Sequence, residues 1–326
     1  MNLDNNIRKE ARKVDPDNKG ELNKYSLGAA WMKGKIIPIS EASIPINDWG
    51  LTRSDITYDV VPVRFGAFFR LEDYLDRFIQ SMKKSHLNPK MGRDKIKVAL
   101  VNMVSASGLR DSYVSMVCSR GTTIVPGSRD PRDCNNYFYA WCVPFIHVIK
   151  PEIAQKGATA LIATSAKKIP ENSVDPTVKN YHWGDFNRGL MEAKSKNYET
   201  ALLLDQNENL TEGPGFNIFA VKGETLITPD RGVLEGITRK TVLEIADHLN
   251  LKKEIRPISK SEFFETDEVF ISTSAGGITS IIKVNDRIFS NGHIGQITKK
   301  VTDSYMEWIK KPIFRTEIDY NSSFSS

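Results

Sequence analysis

Hydrophobic positions recur with helical spacing in several segments of the chain. Between residues 71 and 82 the apolar side chains fall three or four residues apart, at Leu71, Tyr74, Leu75, Phe78 and Met82. This spacing predicts a helix with one buried face. Further helices are predicted over 95–107, ending at Gly108, over 238–250 and over 295–308.

Short runs rich in β-branched and aromatic residues predict strands between these helices. They cover 113–119, 137–143, 158–165, 200–205, 216–229 and 267–277. The run 216–229 has hairpin character at Lys222-Gly223, and Ser259 with Glu262 fits a capping box. Strands outnumber helices and do not alternate regularly with them. We therefore predict an α+β fold and not a doubly wound parallel sheet.

The length of 326 residues favours two domains, at about 150 residues each. We predict a polar N-terminal arm, a small α/β domain, an interdomain linker and a larger second domain. Their predicted bounds are 1–26, 27–145, 146–156 and 157–326.

Composition narrows the class of protein. The chain is 40% hydrophobic and 26% charged, which is typical of soluble globular proteins. It has no long apolar run, no apolar N-terminal signal and three cysteines without a CxxC pair, so we expect a cytoplasmic protein with reduced thiols. The net charge of +5 is scattered. We therefore expect no nucleic-acid or membrane partner.

Several common catalytic motifs are absent from the sequence. It contains no GxGxxG, GxxxxGK[ST], HExxH or GxSxG pattern, and its five histidines lack metal-ligand spacing. We predict no metal site.

Two candidate groups for chemistry remain in the second half of the chain. Lys179 lies in "SVDPTVKNYHWGDFNRG" (173–189), either as a lysine that extends its head to water or as a desolvated amine able to form a Schiff base. Glu212 precedes a Gly-Pro-Gly turn in "LTEGPGFNIF". It is either an ordinary turn acid or a carboxylate that holds a proton on a ring nitrogen.

Two turns are suited to phosphate. In "TPDRGVLEGITRKTV" (228–242), Gly232 and Gly236 lead into a helix with Thr238 in its first turn, which is either simple capping or an anion site. "STSAGG" (272–277) is another turn of small residues. One amine, one carboxylate and two such turns are together what pyridoxal 5'-phosphate (PLP) requires.

These phrases, with "GLTRSDITYDV", resemble the fold-type IV PLP enzymes, among them branched-chain and D-amino-acid aminotransferases, aminodeoxychorismate lyases and (R)-selective amine transaminases. The resemblance runs from about residue 27 to residue 320 and is closest to the (R)-amine transaminases. It implies a small α/β domain, a larger pseudo-barrel domain that binds PLP (157–326), and a homodimer whose active site lies at the interface.

The resemblance also implies roles for single residues. Lys179 would bond the cofactor aldehyde as a Schiff base and act as the catalytic acid and base. Glu212 would contact the ring nitrogen, and Leu234 would pack against the cofactor ring. The four phosphate ligands would be Arg77, Ile237 through its backbone N–H, Thr238 and Ser274. Arg77 lies off the apolar stripe of its helix, so a solvated charge is the alternative for it.

The substrate pocket implied by the resemblance comprises Arg53, Tyr58, Val60, Tyr113, Ser115, Ile146, Trp183 and Ala275. The chain departs from the (R)-amine transaminases in having Arg53 in place of the usual His, and Pro126 about where a loop Arg binds the keto acid. Arg53, Arg129 or Arg132 are the replacement cations we consider.

We therefore expect a ping-pong transaminase that moves an amino group from an (R)-configured amine or D-amino acid to a keto acid such as pyruvate. The strand around Ser115 lacks the Arg of bacterial branched-chain enzymes, and the loop lacks the Arg-x-His of D-amino-acid enzymes. A branched-chain aminotransferase is the main alternative, followed by a lyase of the same fold and a basic protein without enzymatic activity.

Overall fold

The computed structural model describes residues 23–321. Of the predicted arm 1–26, all but the last four residues lie outside this range. The described chain divides into two compact units, His147–Phe314 and the residues on either side of that stretch. Within residues 23–321, no helix combines the length and apolar character that crossing a membrane requires.

The helices are α1 (Trp49–Arg53), α2 (Leu71–Lys84), α3 (Arg93–Ser107), α4 (Pro151–Ala154), α5 (Gly184–Ser195), α6 (Ile237–His248), α7 (Lys260–Phe263) and α8 (Gln296–Trp308). The strands are β1 (Ala29–Met32), β2 (Lys35–Pro38), β3 (Ile56–Arg64), β4 (Ala67–Phe69), β5 (Ser112–Ser119), β6 (Tyr137–Pro144), β7 (Ala158–Ile162), β8 (Thr200–Leu202), β9 (Glu212–Gly213), β10 (Phe216–Lys222), β11 (Thr225–Thr228), β12 (Lys252–Ile255), β13 (Glu268–Thr273), β14 (Gly277–Val284), β15 (Arg287–Ile288) and β16 (Arg315–Glu317).

The first unit is built on an antiparallel sheet in the order β16-β4-β3-β5-β6-β1-β2. Helix α2 packs on β3 through the apolar stripe predicted from the sequence, and Tyr74, Leu75 and Phe78 are fully buried. Helix α3 ends at Gly108, whose φ of 72° is favourable for glycine. The predicted helices over 71–82 and 95–107 are confirmed.

The end of the chain differs from the predicted second domain, 157–326. Strand β16 pairs with β4, with Arg315 opposite Phe69 and Glu317 opposite Ala67. The Ser105 hydroxyl also donates to the Asp319 carbonyl at 2.5 Å. Residues 315–321 therefore belong to the first unit, because they complete the edge of its sheet.

The second unit contains a sheet in the order β12-β11-β10-β13-β14-β7-β8, with β15 added to β14 and β9 to β10. Pairs β11/β12, β14/β7 and β7/β8 are parallel and the others antiparallel. Fully buried Phe263, Ile271 and Val284 belong to a hydrophobic core cluster of this unit. Mixed and antiparallel sheets with helices packed against them confirm the α+β prediction.

Two local signals in this unit correspond to observed features, one hairpin turn and one helix N-cap. The hairpin β10–β11 pairs Lys222 with Thr225, and Gly223 adopts a φ of 58° in the turn. Ser259 accepts a hydrogen bond from Glu262 N at 3.2 Å and begins α7. The Glu262 carboxylate pairs with Arg256, which is a departure from the full capping box.

Candidate active site

Glu212 lies on the short strand β9 and is buried. Its Oε2 accepts hydrogen bonds from Leu234 N at 3.0 Å and from Asn217 Nδ2 at 3.2 Å. Asn217 also donates to the Leu234 carbonyl at 2.8 Å. The predicted carboxylate is thus fixed by β10 and by the loop before α6.

Burial raises the pKa of Glu212, and the charges of Lys168 and Lys179 oppose that rise. The charge of the predicted amine therefore acts on the predicted acid. Lys179 is half-buried in the segment that precedes α5. The two groups that the sequence motifs single out for chemistry thus belong to the same unit and interact electrostatically.

Lys168 is a neighbour of Glu212 that was not predicted from the sequence. Its Nζ lies 3.6 Å from Glu212 Oε1 and 3.5 Å from Asp185 Oδ2. In the sequence it is one of two adjacent lysines, a pattern typical of a solvated surface, and only the fold distinguishes it from Lys167. Asn217 was also missed, although its position five residues after Glu212 at the start of a strand was a usable signal.

The start of α6 has the features of an anion site. Gly236 precedes the helix, and among residues 23–321 no side chain caps this end. Thr238 is buried, and its Oγ1 has no hydrogen-bond partner in the described chain. Free N–H groups at a helix N-terminus, with an unpaired hydroxyl beside them, suit a phosphate. Ile237, the other predicted ligand here, is buried in the first turn.

The remaining candidates of this unit surround the same strands. Trp183 contacts Phe186 edge-on, and its ring lies 3.6 Å from where a Cβ on Gly215 would stand. Ser274 and Ala275 occupy the turn between β13 and β14. Ala275 is buried, and its carbonyl accepts a hydrogen bond from Val148 N at 2.8 Å.

In the first unit, four pocket candidates share one face of the sheet. Val60 on β3 is directly opposite Ser115 on β5, and Tyr58 and Tyr113 follow at alternate positions of the same pair of strands. The buried Ser115 hydroxyl has no hydrogen-bond partner among the described residues. Ile146 is exposed at the end of this unit.

Arg77 lies on α2 and pairs with Asp59 on the opposite face of β3. Burial alone lowers the pKa of Arg77, but the Asp59 carboxylate keeps it above the ordinary value. The guanidinium is therefore charged and held in one orientation.

The three candidate cations for a keto acid differ in their surroundings. Arg53 stacks on the Trp49 ring, with its Cζ 3.3 Å from the ring centroid. Arg132 is paired with Asp130, and this pair lowers the pKa of Asp130 to about 2. Arg129 is exposed, and no ion pair joins it to another described residue.

The donor set fits PLP and does not fit a metal. A buried carboxylate, a nearby amine and an uncapped helix end with an unpaired hydroxyl match the ring nitrogen, the aldehyde and the phosphate. Within the described residues, no group of His, Cys, Asp and Glu side chains is arranged to hold a metal ion.

Comparisons with known proteins agree with this chemistry. The family model for amino-transferase class IV matches residues 57–284. A putative branched-chain-amino-acid aminotransferase of Methanocaldococcus jannaschii is 26% identical over 280 residues, which are 85% of this chain and 95% of that protein. The branched-chain-amino-acid aminotransferase of Escherichia coli K12 is 22% identical over 284 residues, covering 84% and 91% of the two chains.

Solved structures give the same fold. The branched-chain aminotransferase of Thermoproteus uzoniensis, crystallised with norvaline, has a TM-score of 0.77 at 24% identity, covering 88% of this chain and 98% of that one. The branched-chain amino acid aminotransferase of Thermobaculum terrenum in its PLP-bound holo-form has a TM-score of 0.77 at 25% identity, covering 88% and 97%.

The chain belongs to the class IV aminotransferases. It is a PLP-dependent aminotransferase, an enzyme that acts on small amino and keto compounds.

Proposed function

We propose that the protein transfers an amino group from an (R)-configured primary amine, or from a D-amino acid, to a keto acid such as pyruvate. The observation that carries this proposal is the uncharged face of β3 and β5. Tyr58, Val60 and Pro62 lie opposite Val117, Ser115 and Tyr113, and none of these side chains is charged. Because a carboxylate that leaves water without a cation is costly, this face favours the amine donor, which has no carboxylate, over the D-amino acid, which needs a cation from elsewhere.

The cofactor supplies an electron-accepting ring conjugated to the carbon that receives the amino group. In the proposed roles, Lys179 moves the proton at the substrate Cα as general base and then general acid. Glu212 would accept a hydrogen bond from the protonated ring nitrogen. The first turn of α6, with Thr238, binds the phosphate and thereby orients the ring for proton transfer. Arg77 and Ser274 remain predicted phosphate ligands, and Leu234 the predicted wall of the ring site.

We further propose that the enzyme is a homodimer with its active site at the interface, as the resemblance implies. Exposed apolar side chains of the first unit, among them Ile46, Leu51 and Ile124, are consistent with a covered surface. Sedimentation analysis with and without the cofactor tests the dimer.

The donor is tested by following the visible absorption band of the bound cofactor. (R)-1-phenylethylamine, (S)-1-phenylethylamine, D-alanine and L-leucine are added separately to the purified holoenzyme. We expect the (R)-amine or D-alanine to convert the band and the (S)-amine to leave it unchanged. The Lys179→Ala variant is the control, and a wild-type rate in that variant would refute the proposed role of Lys179.

A branched-chain aminotransferase is the second candidate, because the relatives described above carry that name. Conversion by L-leucine alone establishes it in place of the amine transaminase. Pyruvate release from an aminated chorismate-like substrate without an amino acceptor identifies the lyase.

A further inference from the structure

A lysine outside the proposed catalytic set is buried beside Glu212. The Lys168 side chain is 10% exposed, and its ammonium lies 3.6 Å from Glu212 Oε1 and 3.5 Å from Asp185 Oδ2. The Phe186 ring centroid is 4.3 Å from the same ammonium. A buried ammonium is costly unless it is paired, and here it is shared between two buried carboxylates.

Asp185 has further partners that hold its charge. Its Oδ2 accepts a hydrogen bond from Ile169 N at 2.9 Å, and its Oδ1 accepts one from Phe186 N at 2.7 Å. Asp185 itself lies in the first turn of α5, where a negative charge is favourable. Asp185 is therefore anchored to the backbone and fixes one side of Lys168.

Glu212 is bound on one oxygen and faces Lys168 with the other. The hydrogen bonds from Leu234 N and Asn217 Nδ2 both end on Oε2, whereas Lys168 lies beside Oε1. This arrangement leaves the ammonium next to the part of the carboxylate that the backbone does not bind.

Other charges near Glu212 are already assigned. Lys179 acts on it but has its own predicted bond to the cofactor. The Arg239 guanidinium donates to the Thr228 hydroxyl at 3.3 Å and to the Pro229 carbonyl at 2.9 Å. Lys168 therefore stays 3.6 Å from Glu212 Oε1 whichever bond Lys179 forms.

Charges in this cluster favour a protonated ring nitrogen. Lys168, Asp185 and Glu212 sum to one negative charge when all three are ionised, and a pyridinium N–H brings the sum to zero. If Glu212 were neutral, its carboxyl group would hold the proton that the ring nitrogen otherwise carries. The unprotonated ring would then be a weaker electron acceptor.

We propose that Lys168 is a positioning residue whose ammonium keeps Glu212 ionised, so that Glu212 can accept a hydrogen bond from the protonated nitrogen of the cofactor ring. The inference rests on the PLP site of the proposed function but not on the identity of the amine donor. Lys168 touches no reacting atom and acts through Glu212.

The test measures the ionisation of Glu212 directly by infrared difference spectroscopy, with Glu212→Gln as the reference. The whole chain of 326 residues is studied loaded with PLP and stripped of it, at neutral pH. We expect a carboxylate in the wild type and in Lys168→Arg, and a protonated carboxyl in Lys168→Met. Lys167→Met is the matched control, because Lys167 pairs with exposed Glu208, and it should leave the spectrum unchanged.

The affinity for the cofactor is a second measurement of the role of Lys168. Lys168→Met should weaken PLP binding roughly tenfold, since a pKa change of one unit corresponds to a factor of ten, and Lys167→Met should not. A folded Lys168→Met protein that keeps Glu212 ionised, or that loses no more affinity than Lys167→Met, overturns the proposal.

If circular dichroism shows that Lys168→Met does not fold, Lys168→Gln decides, because its polar side chain removes the charge but not the capacity for hydrogen bonding. The pH at which Glu212 takes up its proton should rise in this variant. An unchanged or lower pH overturns the proposal. No amine donor enters these measurements, so a negative result here bears on the role of Lys168 and not on the proposed amine donor. Conversely, a donor that does not react bears on the proposed substrate and not on the role of Lys168.

Discussion

The Arg77 guanidinium is held by the Asp59 carboxylate through two hydrogen bonds, 2.8 Å from Nε and 2.6 Å from Nη2. Asp59 is fully buried, and its Oδ1 also accepts a hydrogen bond from Val60 N at 2.7 Å. Because the guanidinium is planar, hydrogen bonds along one of its edges also fix the direction in which the N–H groups of its other edge point. The predicted phosphate ligand on α2 is thus oriented by β3.

We predict that Asp59→Asn destabilises the protein by about 3 kcal/mol, because it leaves a buried guanidinium without its countercharge. Affinity for PLP should fall as well if Arg77 binds the phosphate. Denaturant unfolding of the stripped protein and titration with PLP measure the two effects. Asp76→Asn is the control, since its exposed carboxylate pairs with Arg93 and should contribute less than about 1 kcal/mol. Equal losses in both variants would contradict the assigned role of Asp59.

The unpaired hydroxyl of Thr238 predicts opposite effects on stability and on binding. Thr238→Val keeps the side-chain shape but removes a buried oxygen without a partner in the described chain, so the stripped protein should be as stable as wild type, or up to about 1 kcal/mol more stable. PLP affinity should fall about tenfold, through loss of one hydrogen bond to a charged group. Melting curves of the stripped and loaded forms separate the effects. A destabilised stripped protein would show that the hydroxyl has a structural partner.

Gly236 is required by close packing and not by a left-handed backbone. Its φ is −62°, but an added Cβ would lie 2.1 Å from Asn217 Oδ1. We predict that Gly236→Ala displaces Asn217, which binds Glu212, and thereby weakens PLP binding roughly tenfold by disturbing about one hydrogen bond to a charged group. Gly92→Ala is the control, because Gly92 likewise precedes a helix and has open space around it. Similar affinities in the two variants would exclude this packing effect.

Much of the fold followed from local signals, because a helix such as α2 repeats its apolar stripe over about three turns. The motif around Lys179 and the glycine-led turn before Thr238 were equally readable, since each is a feature of contiguous residues. Strand β16 was not readable. Its three residues carry no period of their own and gain their partner only when the chain returns to β4.

Lys167 and Lys168 show why part of the site escaped prediction. They are adjacent and identical in type, yet Lys167 pairs with exposed Glu208 while Lys168 is buried between two carboxylates. The difference comes from contacts with residues 17 and 44 positions away, Asp185 and Glu212, which no local pattern contains.

Glu192 on α5 should make stability depend on pH. Its carboxylate accepts hydrogen bonds at 2.8 Å from Thr164 N, Ser165 N and Lys196 Nζ. Burial opposes the effect, but these donors hold the pKa of Glu192 well below its ordinary value of 4.5. A carboxyl group whose pKa is lower in the folded than in the unfolded state stabilises the protein at pH values above its unfolded-state pKa. This stabilisation is lost as the pH falls toward the folded-state pKa.

We therefore predict that Glu192→Gln costs about 2 kcal/mol at pH 7, as expected for hydrogen bonds to a charged group. The difference from wild type should shrink as the pH falls below 4.5. Urea unfolding across this range is the measurement, and Glu208→Gln, on an exposed carboxylate, should show little difference at any pH. If the difference in unfolding free energy between wild type and Glu192→Gln stays constant down to low pH, the ionised form of Glu192 is not the source of that difference.

The surroundings of the three arginines predict which one receives the keto acid. Arg132 is engaged by Asp130 through Nε at 2.9 Å, and Arg53 is stacked on Trp49, whereas Arg129 is exposed and forms no ion pair with another described residue. Arg129→Ala should therefore raise the KM for pyruvate about tenfold, the effect of losing one charge-assisted hydrogen bond. Arg132→Ala should change it little.

Steady-state kinetics with both substrates varied makes this comparison, because a ping-pong cycle gives the donor and the acceptor separate KM values. The KM of the donor amine is the internal control and should stay constant in both variants, since an amine without a carboxylate needs no cation. If Arg53→Ala raises the acceptor KM and Arg129→Ala does not, the stacked arginine binds the carboxylate. In that case donors that carry a carboxylate should lose affinity in Arg53→Ala as well, which would move the substrate class toward D-amino acids.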